Sequence, residues 1–177
     1  MSMRKSAEAA PYLMGPAYAV AALFVLLPII DTIAQALPIS LGAPGWRYGT
    51  VGVGANYLIS FVFGVLALCL LAVVGSHRRT LRLFAILIWI MAVLLVVAAL
   101  GFSLDALQVR AGIPKTEERT LAMFKTGMLK AVFKYLVSAV VMAWTGLGAW
   151  RAGKALPAPV VEEERPLLIK ERRQDER

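Results

Sequence analysis

The sequence predicts an all-α membrane protein, an antiparallel bundle of four transmembrane helices with both termini in the cytoplasm. Hydrophobic residues make up 59% of its 177 residues, and the mean hydropathy is +0.71. Both values lie well above those of a soluble globular domain. Four long apolar stretches account for most of the chain, and a helix needs only about 20 such residues to cross a hydrocarbon core of ~30 Å. If the protein were soluble, its four apolar helices would have no polar helices to cover them.

The four predicted spans cover residues 17–37, 51–75, 83–104 and 128–150, in a transmembrane domain over residues 1–150. The last helix should begin near Thr116, a possible cap, and project from the membrane by two to three turns. Residues 151–177 carry seven basic residues, six acidic residues and three prolines. This composition predicts a charged, mostly disordered cytoplasmic tail, with a short surface helix over residues 165–173 as the alternative.

Basic residues in the short loops set the predicted orientation. The loop between the second and third spans contains Arg78, Arg79 and Arg82 without an acidic residue, so it should lie in the cytoplasm and contact anionic lipid. The expected location is a bacterial-type cytoplasmic (inner) membrane. The outer segment after the third span weakens this orientation, because its four basic residues oppose only three acidic ones.

The first span has a second interpretation as a cleaved signal peptide covering residues 1–36. The apolar part of this segment follows two basic residues, and Ala34-Gln35-Ala36 resembles a small-x-small cleavage site. The apolar region is long for a signal, which favours a retained helix. The other three spans keep their predicted orientation in either case.

Polar residues on all four helices are predicted to meet in the outer half of the membrane. Only 16 residues, about 24 Å of helix, run from Tyr135 to the end of the fourth span at Trp150, so Lys134 should lie inside the hydrocarbon. On the fourth helix a polar stripe from Arg119 through Lys130 and Ser138 to Thr145 should face into the bundle. We expect Asp31 to be neutralised by Lys134 or Lys130. The predicted cluster comprises Asp31, Gln35, Asn56, Asp105, Gln108, Lys130 and Lys134. It is either a functional polar cavity or an ion pair that fixes helix register.

Two further groups of residues are candidates for contacts. Trp46, Arg47 and Tyr48 could bind an outside partner, or anchor the outer connection at the membrane interface. Small residues favour close helix packing, and those singled out are Ser60, Gly64, Ala139 and Ala143.

The chain shows no recognisable catalytic set. The sole cysteine, Cys69, lies in an apolar span, and the sole histidine, His77, lies in a loop, so no metal site or cofactor is expected. Nucleic-acid binding is not expected either, because the basic residues lie beside the spans. The predicted partners are the lipid bilayer and either a protein of a membrane complex or further copies of the chain. The expected function is non-catalytic, an accessory, assembly or scaffold subunit. The alternative is a small oligomeric transporter or channel component, while an enzyme acting on lipid headgroups is disfavoured.

Overall fold

The computed structural model describes residues 2–114 and 116–156, and these form four helices. They are α1 (Ser2–Ala36), α2 (Pro44–Val74), α3 (Arg78–Ala111) and α4 (Glu118–Ala155). Each is long and apolar enough to cross a membrane, in α1 over Tyr12–Ala36. This confirms the predicted all-helical, multi-pass architecture. The predicted tail began at residue 151, but α4 continues to Ala155. The rest of the tail, residues 157–177, lies outside the described part.

Local backbone features mark two of the connections between helices. Pro44 is in the first turn of α2, where its missing N–H is not needed. Ser76, with a φ of 56°, makes the tight connection between α2 and α3.

The predicted cap of α4 at Thr116 is wrong. Glu117 is at the N-cap of α4, and no side chain accepts a hydrogen bond there.

The core lies between α2, α3 and α4 and repeats every seven residues. On α3 one series of buried residues is Leu81, Ile88, Leu95 and Phe102, and a second is Ala85, Ala92, Ala99 and Ala106. On α4 all the buried residues except Ala139 have a similar spacing of three or four: Ala131, Tyr135, Ser138, Met142, Gly146, Ala149 and Gly153. A repeat of this kind keeps one seam of each helix against its neighbour, as in a coiled coil.

Glycines on α4 bring this helix close to α3. A Cβ atom on Gly146 would lie 2.7 Å from the indole ring of Trp89, and a Cβ on Gly153 would lie 3.2 Å from Cγ of Arg82. Trp89 Nε1 also donates a hydrogen bond to the carbonyl of Ala143 at 3.3 Å. Ala139, a predicted packing residue, is buried, whereas the side chain of Ala143 is exposed. The close approach therefore depends on Gly146 more than on Ala143.

Helix α1 lies at the edge of the bundle. Among the described residues it packs on α2 alone and takes no part in the core of the other three helices. The closest approach is at Gly64, where a Cβ atom would lie 3.0 Å from the carbonyl oxygen of Ala21 and 2.8 Å from Val25. Ser60, one turn away on α2, is half-buried. Gly64 thus has the packing role expected from the sequence.

Candidate functional site

The first element of the candidate site is an ion pair between α2 and α3. Arg47 Nε donates to both carboxylate oxygens of Asp105, at 3.0 and 3.1 Å, and Nη2 donates to Oδ1 at 2.7 Å. Nη1 of the same arginine donates to the carbonyl of Leu41 at 2.6 Å. The Asp105 side chain is 12% exposed and that of Arg47 is 33% exposed. This forked geometry fixes the start of α2 against the last turns of α3.

The aromatic neighbours of Arg47 also contact their own chain. The ring of Tyr48 stacks between Phe102, at a centroid distance of 4.7 Å, and Phe124, at 5.2 Å. Trp46 Nε1 donates to the carbonyl of Ala36 at 2.9 Å. The triplet therefore ties all four helices together at one end of the bundle, which we call the Trp46 end. Binding of an outside partner there stays a prediction.

The predicted polar cluster is divided into separate contacts. Lys134 Nζ donates to Asn56 Oδ1 at 2.9 Å, and Gln35 Nε2 donates to the Tyr57 hydroxyl at 2.6 Å. Both hydrogen bonds lie at the protein surface. Asp105 takes part in neither, since its partner is Arg47.

The expected ion pair between Asp31 and Lys134 or Lys130 is wrong. Within residues 2–114 and 116–156 the ion pair found is that of Arg47 with Asp105, and no hydrogen bond reaches the Asp31 carboxylate. Asp31 is exposed, as are Lys130 and Gln108, two further members of the predicted cluster. The prediction placed these groups at the right end of their helices but did not determine the direction in which each side chain points.

The polar stripe on α4 is only partly inside the bundle. Ser138 is buried, and Lys134 and Thr145 are half-buried, but Arg119 and Lys130 are exposed. Thr145 donates its hydroxyl proton to its own helix, at the carbonyl of Val141. The stripe therefore begins on the surface of the bundle and turns inward only near Ser138, which corrects the expectation of a single inward face.

Two tyrosines that sequence reasoning missed belong to this region. Tyr135 is buried and donates to the carbonyl of Val51 at 2.7 Å, joining α4 to α2. Its hydroxyl oxygen lies 3.2 Å from the position that a Cβ on Gly54 would occupy, and Thr32 Cγ2 of α1 lies 3.6 Å from the same position. Tyr57 accepts the hydrogen bond from Gln35 described above. For Tyr135 the available signal was a tyrosine inside an apolar span, because a buried hydroxyl needs a partner.

The opposite end of the bundle contains the arginines predicted to contact anionic lipid. Arg78 Nε donates to the carbonyl of Gly153 at 3.1 Å, while Arg79 is exposed. Arg82 is half-buried against α4, and its Nε has no hydrogen-bond partner among the described residues. One of the three is thus freely available to lipid headgroups, and the other two also hold α3 to α4. The loop residue His77 is exposed, with Nδ1 at 3.2 Å from the Tyr18 hydroxyl of α1.

A groove separates α1 from α3, because α1 packs only on α2. Its middle part has a volume of about 400 Å³ and an entirely apolar lining that includes Val25, Ile29, Phe61 and Met91. Toward the Trp46 end it continues into a space of about 250 Å³ that also reaches Thr32 and Tyr57. We call this feature the α1–α3 groove.

The described residues show no group that could bind a metal, and the comparisons found no similar protein. Across the part of the chain that the structure describes, no three histidine, cysteine, aspartate or glutamate side chains are grouped so as to hold a metal ion. No protein-family model, curated protein or solved structure matches the chain. Function therefore has to be argued from the geometry alone.

Proposed function

We propose that this protein is a non-catalytic accessory, assembly or scaffold subunit of a larger membrane complex. Its described residues form four helices with short connections, so nearly all of its surface for a partner is the side of the bundle. The observation that carries the proposal is the α1–α3 groove, which is apolar in its middle part and open along the bundle. A helix of another membrane protein, packed against these side chains, would gain van der Waals contacts that lipid tails make less well.

The proposed arrangement in the membrane has both termini on the cytoplasmic side of a bacterial-type cytoplasmic membrane. Contacts between the ends of successive helices support an antiparallel order: Trp46 lies beside Ala36, and Arg78 beside Gly153. The arginine-containing connection at residues 75–82 supports a cytoplasmic position for that end.

Isolation of the tagged protein from its own membranes in a gentle detergent tests the proposal. We expect a stoichiometric partner to co-purify with the natural chain and to be lost from Ile29→Trp, which fills the groove. Ile30→Trp is the matched control, because Ile30 is the next residue and is 56% exposed outside the groove. A chain that co-purifies with nothing, or a partner retained equally by both variants, would overturn the proposal.

A second candidate function is a transporter or channel component made of several copies. Exposed charges on Asp31 and Lys130, near the surface hydrogen bond of Lys134, favour it, since charged groups in a membrane usually belong to a pathway or a pair. Four helices are few for a pore, so the polar site would form between copies. Ion flux into liposomes that is lost in Asp31→Asn would support this function. Flux that stays at the level of the natural chain in both Asp31→Asn and Lys134→Gln would remove it.

A further inference from the structure

Opposite charges reach the protein surface on two different helices within a short distance along the bundle axis. Asp31, on α1, is five residues from the last residue of its span at Ala36, about 7.5 Å by helical rise. Its carboxylate has no basic partner among the described residues. Lys134 and Lys130, one turn apart on α4, have no acidic partner there either. A bilayer favours pairing of such groups over leaving each alone.

The contacts around Gly54 show that these charges lie at one level. Thr32, which follows Asp31, and Tyr135, which follows Lys134, both reach the same point beside Gly54. The ammonium group of Lys134 is bound at Asn56, two residues along α2 from Gly54. Two residues correspond to about 3 Å along a helix, so Asp31 and the ammonium differ in depth by no more than about one turn.

From these observations we infer that a second copy of the chain supplies the missing partner, with Asp31 of one copy bound to Lys134 of the other. Copies in one membrane share the same orientation and depth. Groups at one level in the monomer are therefore at one level in the oligomer, whichever rotation relates the copies. The chain thus carries both halves of a complementary interface. This association is additional to the proposed role as a subunit, and it does not use the α1–α3 groove.

The surrounding side chains fit an interface of this kind. Lys134 is already held by Asn56, which leaves further N–H groups of its ammonium free to donate to a carboxylate. Lys130, one turn nearer the membrane boundary, is fully available as an additional positive charge. Lysine side chains are long enough to reach across a helix contact while their stems remain in apolar surroundings.

Disulfide cross-linking in native membranes tests the inference. Two differently tagged full-length copies, both with Cys69→Ala, carry Asp31→Cys in one copy and Lys134→Cys in the other. On mild oxidation we expect a mixed dimer in at least tenfold excess over the mixed dimer given by Ile33→Cys with Lys134→Cys. Ile33 is 59% exposed on α1 and serves as the matched control position. Equal cross-linking at both α1 positions would overturn the inference.

Two further measurements keep the result interpretable. A single chain carrying both Asp31→Cys and Lys134→Cys should form dimers. If it forms only an internal disulfide in a monomer, the pair closes within one chain and the inference is wrong. Asp31→Lys and Lys134→Asp should each reduce the dimer recovered in mild detergent at least tenfold, and the double exchange should restore it. Loss without restoration would mean that the charges do not pair.

The two proposals fail separately. Cross-linked dimers without any co-purified protein would leave the inference standing and remove the accessory role. A co-purified partner that cross-links to Asp31→Cys in place of the second copy would support the accessory role and overturn the inference.

Discussion

The helix pair α3–α4 and the helix pair α1–α2 pack in a similar way, but only the first pair is also packed against a third helix. Both pairs come close at a glycine, Gly146 in the first pair and Gly64 in the second. The pair α3–α4 is also covered by α2, and all three contribute to one core. The pair α1–α2 has no such cover, because among the described residues α1 packs closely on α2 alone. The α3–α4 contact is therefore stabilised by packing against a third helix, whereas α1 is stabilised by α2 alone.

This difference explains where partners are expected. In a membrane the lipid-facing side of a helix is as apolar as its buried side, so helices associate through close packing. The three-helix core satisfies this packing within one chain. Helix α1 leaves the α1–α3 groove open and Asp31 without a partner. The proposed accessory role places another protein in the groove, and the inferred dimer places a second copy at Asp31.

The largest expected loss of stability comes from a substitution that disrupts the α3–α4 pair. In Gly146→Leu the added side chain must displace Trp89, whose ring would be 2.7 Å from the new Cβ. Overpacking of this kind costs about 3 kcal/mol, so we expect a strongly lowered thermal midpoint in detergent and a loss of folded protein. Gly148→Leu, where nothing lies within 4 Å of the added Cβ, is the control. Equal stability of the two variants would show that α3 and α4 do not approach at Gly146.

A second substitution tests the edge helix. Gly64→Leu places its Cβ 3.0 Å from the backbone oxygen of Ala21, so α1 has to move away. We expect about 2 kcal/mol of lost stability, confined to α1, since the core of the other helices does not include that helix. Hydrogen exchange should quicken in residues 17–36 and stay unchanged in α3. Gly49→Leu, in open space on α2, should leave both regions as they are. Faster exchange throughout α3 would contradict the proposed independence of α1.

The charge pair provides a smaller test at the Trp46 end. Asp105→Asn removes the carboxylate that receives three hydrogen bonds from Arg47 and should lower the thermal midpoint. Arg47→Lys keeps the charge but loses the fork, so a smaller decrease is expected. We place both below the Gly64→Leu effect because Arg47 is one-third exposed and water can replace part of the interaction. Gln108→Ala, at an exposed position of α3, is the control. A midpoint unchanged in Asp105→Asn would show that the pair does not stabilise the fold.

These comparisons also show what the sequence could predict. Hydropathy was sufficient for the helices, since each is a long apolar run. It could not identify the seam on α3, because exposed residues such as Leu87 and Val93 are as apolar as the buried Leu95. The alanines that recur every seven residues on α3 were a partial signal, since they lie in the core. The large residues between them are divided, because Ile88 and Phe102 are buried whereas Leu87 and Val93 are exposed.

For the polar residues, too, the sequence did not predict the direction in which each side chain points from its helix. Helical rise predicted that Asp31, Asn56 and Lys134 belong to one end of the bundle, and the structure brings Lys134 to Asn56. Rise does not determine the angle around the bundle at which a side chain emerges. That angle depends on how neighbouring helices pack, so the predicted pair of Asp31 with Lys134 was wrong within one chain.

The smallest expected effect comes from one hydroxyl in the core. Tyr135→Phe removes the hydrogen bond to the carbonyl of Val51, which joins α4 to α2. Such bonds inside a membrane protein contribute about 1 kcal/mol, so a small but measurable decrease in thermal midpoint is expected. Tyr57→Phe is the matched control, because its hydroxyl accepts a hydrogen bond at the surface from Gln35 and lipid headgroups or water can replace it. The Tyr135 substitution should therefore cost more than that of Tyr57. The reverse order would mean that the contact between α1 and α2 stabilises the protein more than the contact between α2 and α4, which would contradict the division into a core and an edge helix.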